Sequence, residues 1–152
     1  MQLNKDWREF IESLHSNSVD FLIVGAIAVA WHGHPRMTGD IDILVRPSAA
    51  NAACVISALR QFGFGQLGIT DSDVTRPGQI IQLGFPPNRI DLITSISGVS
   101  FDEAWAGRCK GQLGDLTVYF IGLDELLRNK ESTGRPKDVV DAGELRKRNP
   151  RP

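Results

Sequence analysis

The chain has 152 residues, 41% of them hydrophobic and 23% charged, a balance that excludes long disorder, collagen-like sequence and a scaffold built on disulfides. Its 17 Lys plus Arg stand against 18 Asp plus Glu, a formal charge of -1, so no global basic field exists and any nucleic-acid partner needs a local patch. Cys54 and Cys109 lie in no metal-binding or redox spacing and are expected as buried free thiols. The start, MQLNKDWREF, lacks the apolar run of a secretory signal, and no apolar stretch nears the roughly 20 residues of a membrane span. The expectation is a cytoplasmic protein with no membrane partner, folded as one domain over 1–152.

Within 1–18, Trp7, Phe10, Ile11 and Leu14 recur at helical spacing and predict a first helix ending near 16–18. The apolar run FLIVG at 21–25 reads as a buried strand closed by glycine, and the small residues of 26–33 as a short helix. After a turn with Pro35 and Gly39, DIDILV at 40–45 predicts a second strand that opens with two acids on alternate positions. Ser48 is a candidate cap for a helix over 49–62, whose apolar face carries Ala52, Val55, Ile56 and Leu59.

The glycine-rich stretch 63–78 reads as loop with a single helical turn after Thr70, a candidate mobile lid. Runs at 79–85 and 89–95 predict antiparallel strands around Pro86, Pro87 and Asn88, and 101–106 a short helix. A second strand pair is expected at 108–113 and 116–121, turning at Gly114 and Asp115. Helices at 124–130 and 137–148 lie within a C-terminal section 122–148, with Pro136 suited to the first turn of the last one. This order predicts an α/β (α+β) single domain, a mixed β-sheet flanked by helices.

Asp40 and Asp42, two residues apart on a strand, project from one face, with Ile41 between them turned to the core. Such a pair can share one metal centre, and Mg²⁺ takes one or two carboxylates together with phosphate oxygens and water. Asp91, between Ile90 and Leu92, is a third acid in an apolar strand and requires a partner or a task. Together the three predict a two-metal site. Gly25 and Ala26, at a strand-to-helix junction, offer backbone N–H groups and close approach to a phosphate. Arg36 and Thr38 sit in the turn entering the acidic strand, where Arg36 would meet phosphates or one of the acids.

As a unit, VGAIAVAWHGHPRMTGDIDILV resembles the signature of the DNA polymerase β-like nucleotidyltransferase superfamily, in which a Gly-Gly or Gly-Ser pair precedes an Asp-x-Asp strand. It departs at Ala26, which replaces the second Gly or Ser and removes a hydroxyl contact to phosphate. The family's third acid maps to Asp91. The ending LDELLRNKESTGRPKDVVDAGEL is similar to that of bacterial nucleotidyltransferase-like proteins related to abortive-infection and toxin-antitoxin toxins, whose active-site segment maps to Lys130, Arg135, Lys137, Asp138 and Asp141.

The resemblance implies transfer of a nucleoside monophosphate from a nucleoside triphosphate, ATP by default, to a hydroxyl, with two Mg²⁺ ions held by Asp40, Asp42 and Asp91. Gly25, Ala26, Arg36 and Thr38 would contact the nucleotide, Lys130 and Lys137 its phosphates, and Asp138 would act as a base or orient a lysine. The implied acceptor is RNA such as tRNA, a protein side chain or a small molecule. The implied setting is a toxin-antitoxin or phage-defence module with a cognate partner. A small-molecule acceptor would call for a homodimer to build its pocket. The same fold also occurs in members without catalysis, so a non-catalytic nucleotide-binding or interaction protein is the alternative.

On general grounds, His32 and His34 lack a third ligand and are left outside the site. Trp7 and Trp105 are expected to pack in the core. The basic tail Arg146, Lys147, Arg148 and Arg151 is expected to be structural.

Overall fold

In the computed structural model, which describes residues 3–152, the apolar run after the first turn forms β1 (Phe21–Val24), buried at every position. A strand apolar on both faces is stable only with cover on both sides and neighbours at both edges. β2 (Asp40–Val45) pairs antiparallel with one edge of β1, and β4 (Arg89–Ile93) runs parallel to β2 on its far side. β3 (Ile80–Leu83) closes that end of the sheet, antiparallel to β4. On the other edge of β1, β6 (Leu116–Phe120) is parallel to it and carries β5 (Cys109–Leu113) as an antiparallel outer strand. The six-stranded mixed sheet, in the order β3-β4-β2-β1-β6-β5, is flanked by helices, and the single α/β domain agrees with the sequence pattern.

α1 (Lys5–Ser16) turns Trp7, Phe10, Ile11 and Leu14 inward and begins at Asn4, whose side chain accepts from the Trp7 amide. α3 (Ala49–Phe62) starts at the expected Ser48 cap and ends at Gly63 in the left-handed conformation that an L side chain resists. The two helices pack together, with Ser13 Oγ donating to the Ala58 carbonyl at 2.9 Å and Phe10 edge-on to Phe62. α2 (Gly25–Trp31) begins on Gly25 itself and stops short of the 26–33 pattern, because the chain turns at Gly33 with φ +115°. α5 (Phe101–Ala106) opens with a capping box between Ser100 and Glu103. α6 (Leu123–Thr133) and α7 (Pro136–Arg148) pack as a pair, with Pro136 in the first turn of α7 as expected.

The stretch 63–78 corrects the lid expectation. It holds a 3-10 turn at Gly65–Leu67 and α4 (Asp71–Thr75), the helical turn expected after Thr70. Val74 is fully buried, and the Thr94 hydroxyl donates to the Arg76 carbonyl at 2.6 Å, so an apolar anchor and a buried hydrogen bond dock the segment on the body. Both cysteines are free but half-buried rather than buried. Trp7 is buried as expected and Trp105 only partly. The tail is structural through ion pairs, with Arg146 on Glu131, Lys147 and Arg148 on Glu144, and Arg151 on Asp124. Among the described residues, no helix is long and apolar enough to cross a membrane.

Buried Asn51 fixes the ends of the two strands that lead to the acids. Its Oδ1 accepts from the Asp20 amide at 2.8 Å, and its Nδ2 donates to the Asp20 and Arg46 carbonyls. Asn51→Ala removes the partners of the half-buried Asp20 amide and Arg46 carbonyl, while the Asp20 carbonyl keeps the Arg46 amide at 3.1 Å, and urea unfolding is expected to show a loss of about 1–2 kcal/mol.

Candidate functional site

Strand register assembles the acids. β2 and β4 run parallel with Asp40 beside Arg89 and Asp42 beside Asp91, so these four side chains share one face of the sheet. Ile41 and Ile43, on the alternate positions, are completely buried on the other face and lock the register, since a one-residue slip would drive the acids into the core. One carboxylate oxygen from each of Asp40, Asp42 and Asp91 lies within 4.8 Å of the others. The expected trio of acids is one cluster.

Three like charges this close raise the energy of ionising any one of them. The Asp42 carboxyl is pushed up to about 7, first by burial, then by the charges of Asp40 and Asp91, with the charge of Lys130 opposing. Arg89 supplies the local counter-charge. It donates through Nη2 to Asp40 at 2.5 Å and through Nε to Asp91 at 3.0 Å, while Asp42 receives no such bond. The donor set is oxygen only, and its excess negative charge fits a hard divalent cation, which would relieve the same repulsion that raises Asp42.

Gly25 meets the acids from β1. Val24 pairs with Asp42, and at the next residue the backbone turns to φ +65°, with the Asp42 carboxylate where a Cβ would stand. Only glycine satisfies both the conformation and the approach. A cleft of about 420 Å³ opens here, lined by Gly25 and Asp42, by Ile80 and Ile93 of the sheet, and by Lys130 and Arg135.

Lys130 is buried between two carboxylates, Asp138 at 3.1 Å and Asp141 at 3.3 Å. Asp138 also accepts from the Thr133 hydroxyl at 2.6 Å and from Arg135 Nε at 2.7 Å. Burial works against ionisation of Asp138, but the bonds from Thr133, Arg135 and Lys130 outweigh it and hold the carboxyl down to about 2. A carboxylate so committed is a poor base, and of its two expected roles the geometry supports orienting the lysine.

Other expected contacts differ. Arg36 meets an acid, but that acid is Asp141, at 2.7 Å, which uses its guanidinium to tie the turn before β2 to α7. Thr38 spends its hydroxyl on Asp40, with bonds to the carboxylate at 3.0 Å and the carbonyl at 3.1 Å, so it positions an acid and is not free for a nucleotide. Ala26, the second residue of α2, lies outside the lining of the cleft, as does Lys137, which is solvent-exposed on the first turn of α7 and has no ion pair among the described residues. His32 bonds the Ile121 carbonyl at 2.8 Å, a packing role.

No protein-family model matches the chain, and no curated protein is significantly similar to it. The site therefore stands on its geometry. Arg89 is the member that sequence reasoning missed. Its signal was a basic residue two positions before Asp91, hence on the same strand face, but alternation alone does not say that it would bridge to a neighbouring strand.

Two carboxyls of the site, Asp42 and Asp138, are displaced far enough to give a signed pH dependence. Asp42, raised to about 7, favours the fold most below the ordinary carboxylate range of about 3.9, and that contribution is lost as pH climbs through 7. Asp138, lowered to about 2, contributes above the ordinary range and is lost as pH falls toward 2. In divalent-free buffer, thermal melts are expected to show the midpoint dropping between about pH 5 and pH 8. Asp42→Asn is expected to abolish that drop.

Proposed function

We propose that this chain is a Mg²⁺-dependent nucleotidyltransferase that transfers a nucleoside monophosphate from a nucleoside triphosphate, ATP by default, to an acceptor hydroxyl. The single observation that carries this reading is the meeting of Asp40, Asp42 and Asp91 beside a cleft that also presents Gly25 and Lys130. Acids of this number and spacing fit two cations, while a side-chain-free backbone turn and a fixed ammonium fit phosphate charge. The resemblance of 24–45 to the superfamily signature points the same way.

In this reading Asp40, Asp42 and Asp91 hold the ions, which supply Lewis acidity to phosphoryl oxygens and lower the pKa of the acceptor hydroxyl. The chain's own groups do the rest. Gly25 leaves room for the phosphates to pass close to the backbone, and Lys130, held by Asp138 and Asp141, meets their charge at the cleft wall. The acceptor oxygen bonds to the α-phosphorus, the bond from that phosphorus to the bridging oxygen breaks, and pyrophosphate leaves. Asp91 takes the proton of the acceptor hydroxyl. Arg89, which pairs with Asp40 and Asp91, would have to release those bonds for the same carboxylates to hold the ions. The acceptor belongs to RNA such as tRNA, to a protein side chain or to a small molecule, in a toxin-antitoxin or phage-defence setting.

One observation favours a second reading, a non-catalytic interaction protein on the same architecture. Arg89 already neutralises part of the acidic cluster from within, as a structural ion-pair network would. Incubation with each α-phosphate-labelled nucleoside triphosphate in turn, Mg²⁺ and a mixed RNA and protein pool separates the two. Label is expected to appear in an acceptor fraction and to fall on the order of a hundredfold or more in Asp40→Asn with Asp42→Asn. Absence of transfer from all four nucleoside triphosphates by the folded protein would sink the enzyme reading and leave the second one.

A further inference from the structure

A second cavity, of about 480 Å³, lies where α1 runs into β1 and strands β6 and β5 pass, and it shares no lining residue with the acidic cleft. Its size falls within the range of small-molecule sites. Trp105 and Tyr119 form an aromatic wall, their rings 5.8 Å apart and edge to face. The guanidinium of Arg108 lies against both, 4.1 Å from the Trp105 ring centre and 4.6 Å from that of Tyr119. This pins the side chain flat and pre-positions its end group. Among the described residues only Nη1 has a hydrogen-bond partner, donating to the Trp105 carbonyl at 2.7 Å.

Charge at the cavity is unbalanced. Most Lys and Arg of the protein face a carboxylate, but Arg108 and Lys110, both lining this cavity, have no ion pair among the described residues. Asp20, the one acid in the lining, is occupied by Arg46 at 2.8 Å. The Thr117 hydroxyl, exposed in the lining, accepts from Gln112 Nε2 at 2.8 Å and keeps its own proton to donate. Two unpaired cations, one of them a planar fork held rigid by aromatic rings, match a phosphate, and the ring surface that Arg108 and Phe101 leave uncovered matches a flat heterocycle beside it.

We propose that this cavity binds a nucleotide, its phosphate on Arg108 and Lys110 and its base against the aromatic wall. The nucleotide comes either free or as one unit of a single RNA strand, since both present the same chemistry. The assignment rests on this cavity alone and is independent of any reaction at Asp40, Asp42 and Asp91.

Equilibrium dialysis without divalent ions tests it, with inorganic phosphate, AMP and a short single-stranded oligoribonucleotide as the probes. The proteins compared are the wild type, Asp42→Asn, Lys110→Glu and Arg108→Gln. Lys110 is solvent-exposed on an outer strand, so Lys110→Glu keeps the test open if Arg108→Gln disturbs the aromatic packing. AMP or the oligoribonucleotide is expected to bind the wild type and Asp42→Asn alike and roughly tenfold or more weakly to Lys110→Glu. Tighter binding of AMP assigns the free nucleotide, and tighter binding of the oligoribonucleotide assigns the strand. Lack of binding by all three probes, equal affinity for phosphate and AMP with none for the strand, or unchanged affinity in Lys110→Glu would overturn the proposal.

Discussion

The parallel register between β2 and β4 sets Asp42 against Asp91 and Asp40 against Arg89, and the charge concentrated there governs what surrounds it. Carboxylates held on adjacent rigid strands cannot separate to relieve repulsion. They are left with protonation, an internal cation or an external one. The protein shows the first two, a proton favoured on Asp42 toward neutrality and a guanidinium bridging the other two acids. In the proposed metal-bound state a divalent ion would replace both.

A second electrostatic assembly supports the first. Lys130, Asp138, Asp141, Arg36 and Arg135 join α6, α7 and the turn that leads into β2. Buried ions are seldom a net source of stability, because desolvation opposes their attraction. Their value lies in position. Lys130 is held where it faces the cleft, and Arg36 is tied down in the turn just ahead of Asp40, so the helical pair and the acidic strand keep one relative geometry. Gly25 adds the last constraint, because any side chain at that position would collide with Asp42.

Much of this was legible in the chain because short-range rules carry it. Alternation on DIDILV put two acids on one face, a lone acid between Ile90 and Leu92 marked the third, and Pro136, Ser48 and Gly63 punctuated helices where local chemistry requires. What escaped depends on pairing across the fold. Arg36 and Thr38 are placed correctly in the turn, but their partners, Asp141 and Asp40 respectively, are set by packing against α7 and by local hydrogen bonding. Lys137 shows the same limit, since a helix start fixes its position along the chain but the rotation of α7 buries Asp138 and Asp141 and leaves Lys137 in solvent. The stretch 63–78 looked loose from its glycines, and one apolar residue, Val74, was enough to dock it.

The central claim is that the acidic cluster takes a divalent cation in exchange for the proton favoured on Asp42. Calorimetric titration of Mg²⁺ or Mn²⁺ in buffers of different ionisation enthalpy counts protons released on binding. The account predicts saturable binding with proton release that is largest below pH 7, fades as pH rises above the Asp42 value of about 7, and disappears in Asp42→Asn. Absence of saturable binding, or binding whose proton release is the same in Asp42→Asn, would contradict it.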